Sequence, residues 1–346
     1  MTIRLERVTT KDPCRICGRT RYCGFRHLKD KLLCICMWES EGSFGVAENG
    51  GWKHFLSGGN GVTADFDLPT RDTKAPMARI NAVYKEFLSL LLLNKDHTAA
   101  NTARGFSIDQ LNKLEYKTVE DRAAELVRLG LDLSYVPGFY RNDFGEWDSS
   151  ASKVTGYFIP IRNLKQRIQA MQIRLDNGKP KYLWFSSNGM NLGATCGSPI
   201  HRSIIGFSGS GPTWITEAPL KADFISAKLG VQAIGIGGVN AGHADIVNAL
   251  LEPNHRDVII AFDGNWRSNS FVCRALGSLI LKLANGVPCI PKIAVWDDDC
   301  GFDDAFQKKL DIDIISASEW YKSRSDKIPN LIKDNNLAEH LKKKLN

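Results

Sequence analysis

The sequence predicts an α/β fold in three parts, and three observations support this prediction. Five of the nine cysteines lie between Cys14 and Cys36, which indicates a small metal-binding module. Apolar and polar side chains alternate from Ile168 to Arg174, as in a half-buried antiparallel sheet. Between Thr213 and Phe306, short apolar runs separated by helical patterns indicate parallel strands. We therefore expect a metal-binding module, a mixed α+β region and a small parallel sheet flanked by helices.

The N-terminal cysteines have the spacing of a zinc site. Cys14 and Cys17 enclose a two-residue knuckle, and Gly18 permits the turn behind it, so both thiolates converge on one metal ion. Zinc takes four ligands, whereas the segment offers five cysteines: Cys14, Cys17, Cys23, Cys34 and Cys36. Cys34 and Cys36 are two residues apart and share a face of a strand, so the spacing leaves the choice between them open.

Two other interpretations of this segment are a disulfide framework and a histidine ligand. A disulfide framework is disfavoured, because the sequence shows no secretory segment and the remaining cysteines are scattered through apolar contexts. His27 is a further possible ligand, although a histidine in such a loop is more often a surface residue. We therefore expect reduced cysteines and one structural zinc ion.

The next segment, 58–76, has the Gly, Thr, Asp and Pro content of a linker. Beyond it, helical patterns occur at 77–93, 109–116 and 119–130. The alternating strands that follow carry basic side chains on one stripe, because residues two apart share a face. These are Arg162, Arg174, Lys179 and Lys181. Such a stripe is either the solvated face of a sheet or a surface for a phosphate backbone.

Acidic residues follow three apolar runs in the later part of the chain, and we call these three positions the acidic stations. The stations are Glu217 after 213–216, Asp263 after 258–262 and Asp297 after 293–296. More carboxylates follow the third run, namely Asp298, Asp299, Asp303 and Asp304. Ligands bind outside the carboxyl ends of parallel strands, so we expect the stations to meet at one edge. Their oxygens suit Mg²⁺ or Mn²⁺, whereas in an ordinary doubly wound domain the same acids would only cap helices.

The helices between these strands are marked by their end signals. Pro219 lies just inside the segment 218–229, where proline favours a helix start. Asn269 is a capping residue for the segment 270–285. Strands and helices thus alternate, which predicts helices on both faces of the parallel sheet.

The order of these motifs resembles the Toprim domain, which bacterial-type DNA primases share with topoisomerases and a family of nucleases. The matching elements are Glu217 in Thr-Glu-Ala-Pro-Leu-Lys-Ala-Asp, the glycine loop at 235–238, Asp263-Gly264-Asn265 and Gly301-Phe302-Asp303-Asp304. In this family a Glu ends the first strand and an Asp-x-Asp ends the third. Asn265 departs from that pattern, because it keeps an oxygen ligand but removes one negative charge.

The residues upstream resemble those that precede the Toprim domain in bacterial and phage primases. Arg104-Gly105-Phe106-Ser107 resembles a turn of primase helical regions. The succession at 156–163, 169–174 and 179–183 resembles strands that line the nucleic-acid and nucleotide groove, although the family's Lys-Tyr-Leu-Asn reads Lys-Tyr-Leu-Trp here. The cysteine pattern resembles the zinc ribbon of small phage and plasmid primases, with the last ligand at Cys36 and Cys34 as the alternate.

These resemblances imply a primase of phage, plasmid or mobile-element kind. Its parts would be a zinc ribbon (1–57), a linker (58–76), a primase subdomain (77–205), a Toprim domain (206–325) and a C-terminal helix (326–346). It would make short RNA primers on a single-stranded DNA template from ribonucleoside triphosphates, with structural Zn²⁺ and catalytic Mg²⁺ or Mn²⁺. The implied catalytic residues are Glu217, Asp263 and Asp303, with Asn265, Asp297 and Asp299 as further metal ligands. The implied nucleic-acid or nucleotide contacts are Arg162, Arg174, Lys179, Lys181 and Lys221.

Two other functions fit the same motifs. A Toprim nuclease would use the metals for cleavage, and a non-catalytic single-stranded-DNA-binding replication protein would tolerate the neutral Asn265. No Gly-x-x-x-x-Gly-Lys-Ser/Thr motif occurs, so a primase of this kind would need a separate replicative helicase. The 346-residue chain has a net charge of +7, which mildly favours a polyanionic partner. Its longest apolar run, 87–93, is too short to span a bilayer, so we expect a soluble, cytoplasmic protein.

Overall fold

A computed structural model describes the chain at residues 6–28, 31–37, 45–47, 52–56, 74–178, 180–206, 211–251, 257–287, 289–322 and 343. The chain divides into two compact units, Met1–Thr70 and Arg71–Asn346. The predicted linker (58–76) and C-terminal helix (326–346) lie outside the described residues except at 74–76 and 343. No helix among the described residues is long and apolar enough to cross a membrane.

The first unit is built on an antiparallel sheet with the strand order β1-β2-β3-β5-β4. Its strands are β1 (Glu6–Arg7), β2 (Gly24–Leu28), β3 (Lys31–Cys36), β4 (Gly45–Val46) and β5 (Trp52–Leu56). Alternate residues of a strand share a face, so β3 places Cys34 and Cys36 on the same side. Both side chains are fully buried, and they share a small core with Val8 and Phe25. The core of this unit is therefore rich in cysteine.

The second unit combines helices with two larger sheets and a hairpin. Its helices are α1 (Met77–Ser89), α2 (Lys95–Arg104), α3 (Ile108–Leu114), α4 (Ala123–Arg128), α5 (Pro219–Leu229), α6 (His243–Leu250), α7 (Ser270–Gly286), α8 (Phe302–Gln307) and α9 (Ala317–Lys322). Its strands are β6 (Lys117–Thr118), β7 (Phe139–Arg141), β8 (Trp147–Ser149), β9 (Gly156–Arg162), β10 (Ile168–Leu175), β11 (Tyr182–Trp184), β12 (His201–Arg202), β13 (Thr213–Thr216), β14 (Ala233–Gly235), β15 (Val258–Ile260), β16 (Lys292–Val295) and β17 (Asp313–Ser316). The hairpin is formed by β7 and β8.

Local signals set the helix ends. Asn269 caps α7 as predicted, because its side chain accepts a hydrogen bond from the backbone N–H of Phe271 at 3.0 Å. The predicted helix at 119–130 begins only at Ala123. The residues before Ala123 make a different contact, because the backbone N–H of Val119 donates to the carbonyl oxygen of Gly156 at 2.9 Å. The expected first turn at 119–122 is therefore not helical and instead continues the chain from the short strand β6.

The four-stranded antiparallel sheet has the order β11-β10-β9-β6. The prediction of a half-buried sheet is wrong for β9, because all seven of its residues are buried. One face of β9 packs against α1, where the rings of Phe158 and Phe87 lie 5.3 Å apart. The other face places Ile159 in a cluster with Leu220 of α5. Helices thus cover both sides of this strand.

The six-stranded sheet has the order β12-β14-β13-β15-β16-β17. Its four central strands are parallel, and the two outer strands pair antiparallel to them. Successive residues of β13 point to opposite faces. Ile215 packs in the cluster that contains α7, whereas Trp214 packs with the residues of α5 and α8. The predicted parallel sheet with helices on both faces is therefore present.

Candidate functional site

The first candidate site is the cysteine cluster of the first unit. The sulfur atoms of Cys14, Cys17, Cys23 and Cys36 all lie within 4.8 Å of one another. Gly18 has a φ of +70°, and its backbone N–H donates to the carbonyl oxygen of Cys14 at 2.7 Å, which closes the predicted knuckle. Four converging thiols fit the tetrahedral sulfur coordination that structural zinc prefers.

The fifth cysteine lies beside this set. The sulfur of Cys34 is 3.6 Å from the sulfur of Cys14, and the Cys34 side chain is fully buried. Across the sheet Cys34 faces His54, whereas Cys36 faces Trp52. Cys36 is thus one of the four converging cysteines, and Cys34, the predicted alternate, lies beside them. The other possible ligand, His27, lies in β2.

The second candidate site lies at the carboxyl ends of two adjacent parallel strands. Glu217 directly follows β13, and Asp263 follows β15, which is the neighbour of β13 in the sheet. Lys221 lies one turn into α5, four residues after Glu217. Its ammonium donates hydrogen bonds to Glu217 Oε1 and to Asp263 Oδ1. The strand order thus brings two of the three predicted stations together, and a lysine joins them.

Burial and the shared lysine set the electrostatics of this group. Burial is the largest influence on Glu217 and raises its pKa to about 7, although the charge of Lys221 acts in the opposite direction. Burial also acts to raise the pKa of Asp263, but the hydrogen bond with Glu217 and the charge of Lys221 outweigh it and lower that pKa. The pKa of Lys221 is raised, because its two carboxylate partners outweigh its burial. The ammonium is therefore firmly charged.

Asp303 lies beside this pair, in the first turn of α8. Its side chain is 2% exposed, and Oδ2 accepts a hydrogen bond from Arg104 at the end of α2. Its other oxygen, Oδ1, is buried and has no hydrogen-bond partner. A Cβ atom on Gly301 would lie 2.6 Å from the Lys221 ammonium and 2.8 Å from Asp303 Oδ1. Both atoms therefore border the space that Gly301 leaves open.

Arg104 is a residue of this site that the sequence analysis did not assign to it. Burial acts to lower the pKa of Arg104, but the charge of Asp303 outweighs it, so the pKa is raised. Arg104 begins the Arg104-Gly105-Phe106-Ser107 turn, whose sequence indicates a helical region but does not indicate a carboxylate partner. The pairing could not be read from the sequence, because Arg104 and Asp303 lie 199 residues apart.

The remaining predicted metal ligands, Asn265, Asp297 and Asp299, differ in burial. Asn265 lies in a single 3₁₀ turn, and its Oδ1 is buried without a hydrogen-bond partner. Asp297 and Asp299 are exposed, and Ser268 donates to Asp299 at 3.4 Å. Within the described residues, the four cysteines are the only group of three or more Cys, His, Asp or Glu side chains whose ligand atoms come this close together.

The glycine loop is required by close packing beside this site. A Cβ on Gly235 would lie 2.7 Å from the Cα of Pro219, at the start of α5. A Cβ on Gly237 would lie 2.6 Å from the indole ring of Trp184. Trp184 stands where the primase pattern has Asn, so here an aromatic ring covers the loop. The glycines therefore allow both α5 and β11 to approach the strand ends.

The predicted basic residues fall into two classes. Arg162 is 1% exposed, donates to the carbonyl oxygen of Leu114 at 3.3 Å and pairs with Glu115, so its guanidinium lies inside the protein. Arg174 lies over the ring of Tyr182 at 5.2 Å and donates to the carbonyl oxygen of Leu175 at 3.0 Å.

Lys181 is exposed, and its charge helps to lower the pKa of Asp263, which places it near the acidic group. Lys179 lies outside the described residues. Tyr182, over which Arg174 lies, interacts electrostatically with Lys221 and Asp303 as well, so Arg174 is also near the acidic group.

Solved structures were found that resemble this chain. A Pseudomonas aeruginosa DNA primase domain matches with a TM-score of 0.53 and 13% identity, covering 77% of this chain and 94% of that one. The zinc-binding and RNA polymerase domains of the Aquifex aeolicus primase match with a TM-score of 0.51 and 13% identity, covering 81% of this chain and 75% of that one. The RNA polymerase domain of the Mycobacterium tuberculosis primase DnaG matches with a TM-score of 0.50 and 14% identity, covering 78% and 98%.

No family model matches the chain, and no curated protein matches its sequence. At identities of this order, structural similarity is informative about the fold. The chain therefore has a mixed α/β fold similar to that of DnaG-type primase core domains, with four clustered cysteines near its N-terminus.

Proposed function

We propose that this protein is a DNA primase of phage, plasmid or mobile-element kind. It makes short RNA primers on single-stranded DNA by divalent-metal-dependent nucleotidyl transfer in a Toprim-type domain. One observation carries the proposal: Glu217 and Asp263 meet at the ends of adjacent parallel strands, in a chain whose fold resembles primase core domains. Ligand sites of parallel sheets occur at this edge.

The donor atoms around these carboxylates suit a hard divalent cation. Two buried oxygens without hydrogen-bond partners, Asp303 Oδ1 and Asn265 Oδ1, offer ligand positions, and burying such atoms without a partner costs free energy. Together with Glu217 and Asp263, these two oxygens would hold Mg²⁺ or Mn²⁺. Asp297 and Asp299 would be outer carboxylates of the same metal site. When bound, such a metal would activate the primer 3′-hydroxyl and neutralise charge on the incoming triphosphate.

The chain's own residues would orient the reactants. Lys221 and Arg104 hold the carboxylates in place through the contacts described above. Arg174, fixed against Tyr182, and the exposed Lys181 would contact phosphates of the template or the triphosphate, and Lys179 is included with them. Arg162 would support its strand from inside the protein. The zinc module, with Cys14, Cys17, Cys23 and Cys36 as ligands, would select the start sequence.

A primer-synthesis assay tests this proposal. With single-stranded templates of varied sequence, ribonucleoside triphosphates and Mg²⁺ or Mn²⁺, the protein should yield short RNA products. Glu217→Gln should abolish them, whereas Asp245→Asn, at an exposed carboxylate of α6, should leave the yield unchanged. Because this primase would rely on a separate replicative helicase, the assay uses templates that are already unwound.

The two alternatives give different results in the same assay. Cleavage of the template without nucleotide addition, lost in Glu217→Gln, would assign the site to a nuclease. Template binding with neither synthesis nor cleavage would assign the protein to the non-catalytic replication proteins.

A further inference from the structure

Lys221 places a positive charge between the carboxylates of a site that is proposed to bind metal. Its ammonium donates to both strand-end carboxylates at once, and its side chain is only 16% exposed. An ammonium has three N–H donors, so two of the three are committed to Glu217 and Asp263. The lysine is therefore part of the acidic group and not a residue at its rim.

This position matters because of how two-metal sites are built. Enzymes that transfer phosphoryl or nucleotidyl groups with two divalent ions hold them about 3.5–4 Å apart, between shared carboxylates. A lysine ammonium bonded to two carboxylates fills the space between them and supplies one positive charge there. A metal ion cannot share that space with it, since like charges this close repel strongly.

The other charged side chains of the site also favour a single bound metal ion. Asp303 is paired with Arg104, and Asp298 accepts from Lys308 at 2.7 Å. Asn265 stands where the Toprim pattern has an acid, so one further negative charge is missing. Asp303 and Asp298 are thus each paired with a cation of the chain, and Glu217 and Asp263 share a third cation, Lys221. The negative charge that remains on these four carboxylates favours one divalent ion over two.

We infer that Lys221 is a built-in cation that takes the place of one of two metal ions, so that the acidic site binds a single divalent ion. Open ligand positions for that ion are the buried, unpartnered oxygens Asp303 Oδ1 and Asn265 Oδ1. The inference deepens the proposed nucleotidyl transfer and rests on it for the use to which the ion is put. The number of ions bound does not depend on primer synthesis, so the two can be tested apart.

The test counts Mn²⁺ ions bound by the zinc-loaded, full-length protein, by titration calorimetry and by the electron paramagnetic resonance signal of free Mn²⁺. Wild type should bind one Mn²⁺ per chain, Lys221→Met should bind two, and Lys221→Arg, which keeps a cation, should bind one. Lys228→Met is the matched control: Lys228 is on the same helix, partly buried, with its ammonium bonded to the carbonyl oxygen of Gly105. This control should bind one ion like wild type.

Two results would overturn the inference. The first is a wild type that binds two Mn²⁺ ions, a measurement that needs no variant to fold. The second is a folded Lys221→Met protein, verified by circular dichroism, that still binds one ion or none. If the counts are one and two but wild type makes no primers, the proposed function fails and the role of Lys221 stands. If primers form but the count is unchanged by Lys221→Met, the role of Lys221 fails alone.

Discussion

The two candidate metal sites of this protein neutralise their charge in opposite ways. In the first unit, four thiol groups gather within 4.8 Å, and four thiolates so close repel one another unless a metal ion lies between them. In the second unit, the buried carboxylates already carry cations of the chain, namely Lys221 on Glu217 and Asp263, and Arg104 on Asp303. We therefore expect the first site to depend on a metal ion for folding, and the second to be assembled before any metal ion binds.

The largest expected effect is zinc removal. A structural zinc ion contributes about 10–16 kcal/mol to the folding of a small module, so Cys36→Ser should lose the zinc and unfold the first unit. Cys34→Ser should keep one zinc per chain, because Cys34 lies beside the ligand set. Elemental analysis and circular dichroism would measure both. Equal zinc contents in the two variants would contradict the proposed ligand set.

The second expected effect concerns activity without loss of fold. Asp263→Asn should lower primer synthesis by orders of magnitude, because a neutral amide binds a hard cation weakly, while single-stranded DNA binding and zinc content should persist. Asn265→Asp should keep or raise synthesis and lower the metal concentration required. If Asp263→Asn leaves synthesis intact, the acidic group is not the active site.

The sequence located the elements that carry both candidate sites, and the contacts that it did not predict have a common cause. The cysteine cluster was predictable because its ligands lie close along the chain, and Glu217 and Asp263 because each follows a strand of the same parallel sheet. Arg104 was missed, since only the packing of α2 against α8 brings it to Asp303. Arg162 was placed on a basic stripe because alternation cannot show that a strand is covered on both faces. Local patterns thus located the elements, and long-range packing decided which charges meet.

The third prediction compares two glycines near the carboxylates. A Cβ on Gly264 would collide with the backbone carbonyl oxygen of Asp298, which cannot move aside, so Gly264→Ala should lower the free energy of unfolding by about 3 kcal/mol. A Cβ on Gly301 would meet only the ends of the Lys221 and Asp303 side chains. Gly301→Ala should therefore cost less stability than Gly264→Ala, because side-chain ends can shift where a backbone carbonyl cannot, and it should weaken Mn²⁺ binding by displacing Asp303 Oδ1. Chemical denaturation and Mn²⁺ titration would separate the two effects.

The smallest expected effect is a difference between two arginines of the predicted basic stripe. One of them, Arg162, is paired with a carboxylate of the chain, as Lys221 and Arg104 are in the acidic group. Arg162 is buried against Glu115, which is itself partly exposed, so Arg162→Met should cost about 2 kcal/mol of stability without altering the salt dependence of DNA binding. Arg174 lies near the acidic group, so Arg174→Ala should leave stability nearly unchanged and lower the salt slope of single-stranded DNA binding by about 1. Denaturation curves and binding titrations at several salt concentrations would measure both quantities. A contrary result would be an Arg162→Met protein with unchanged stability and a reduced salt slope of DNA binding. It would show that the Arg162 guanidinium contacts the nucleic acid and does not act as an internal ion-pair partner of Glu115.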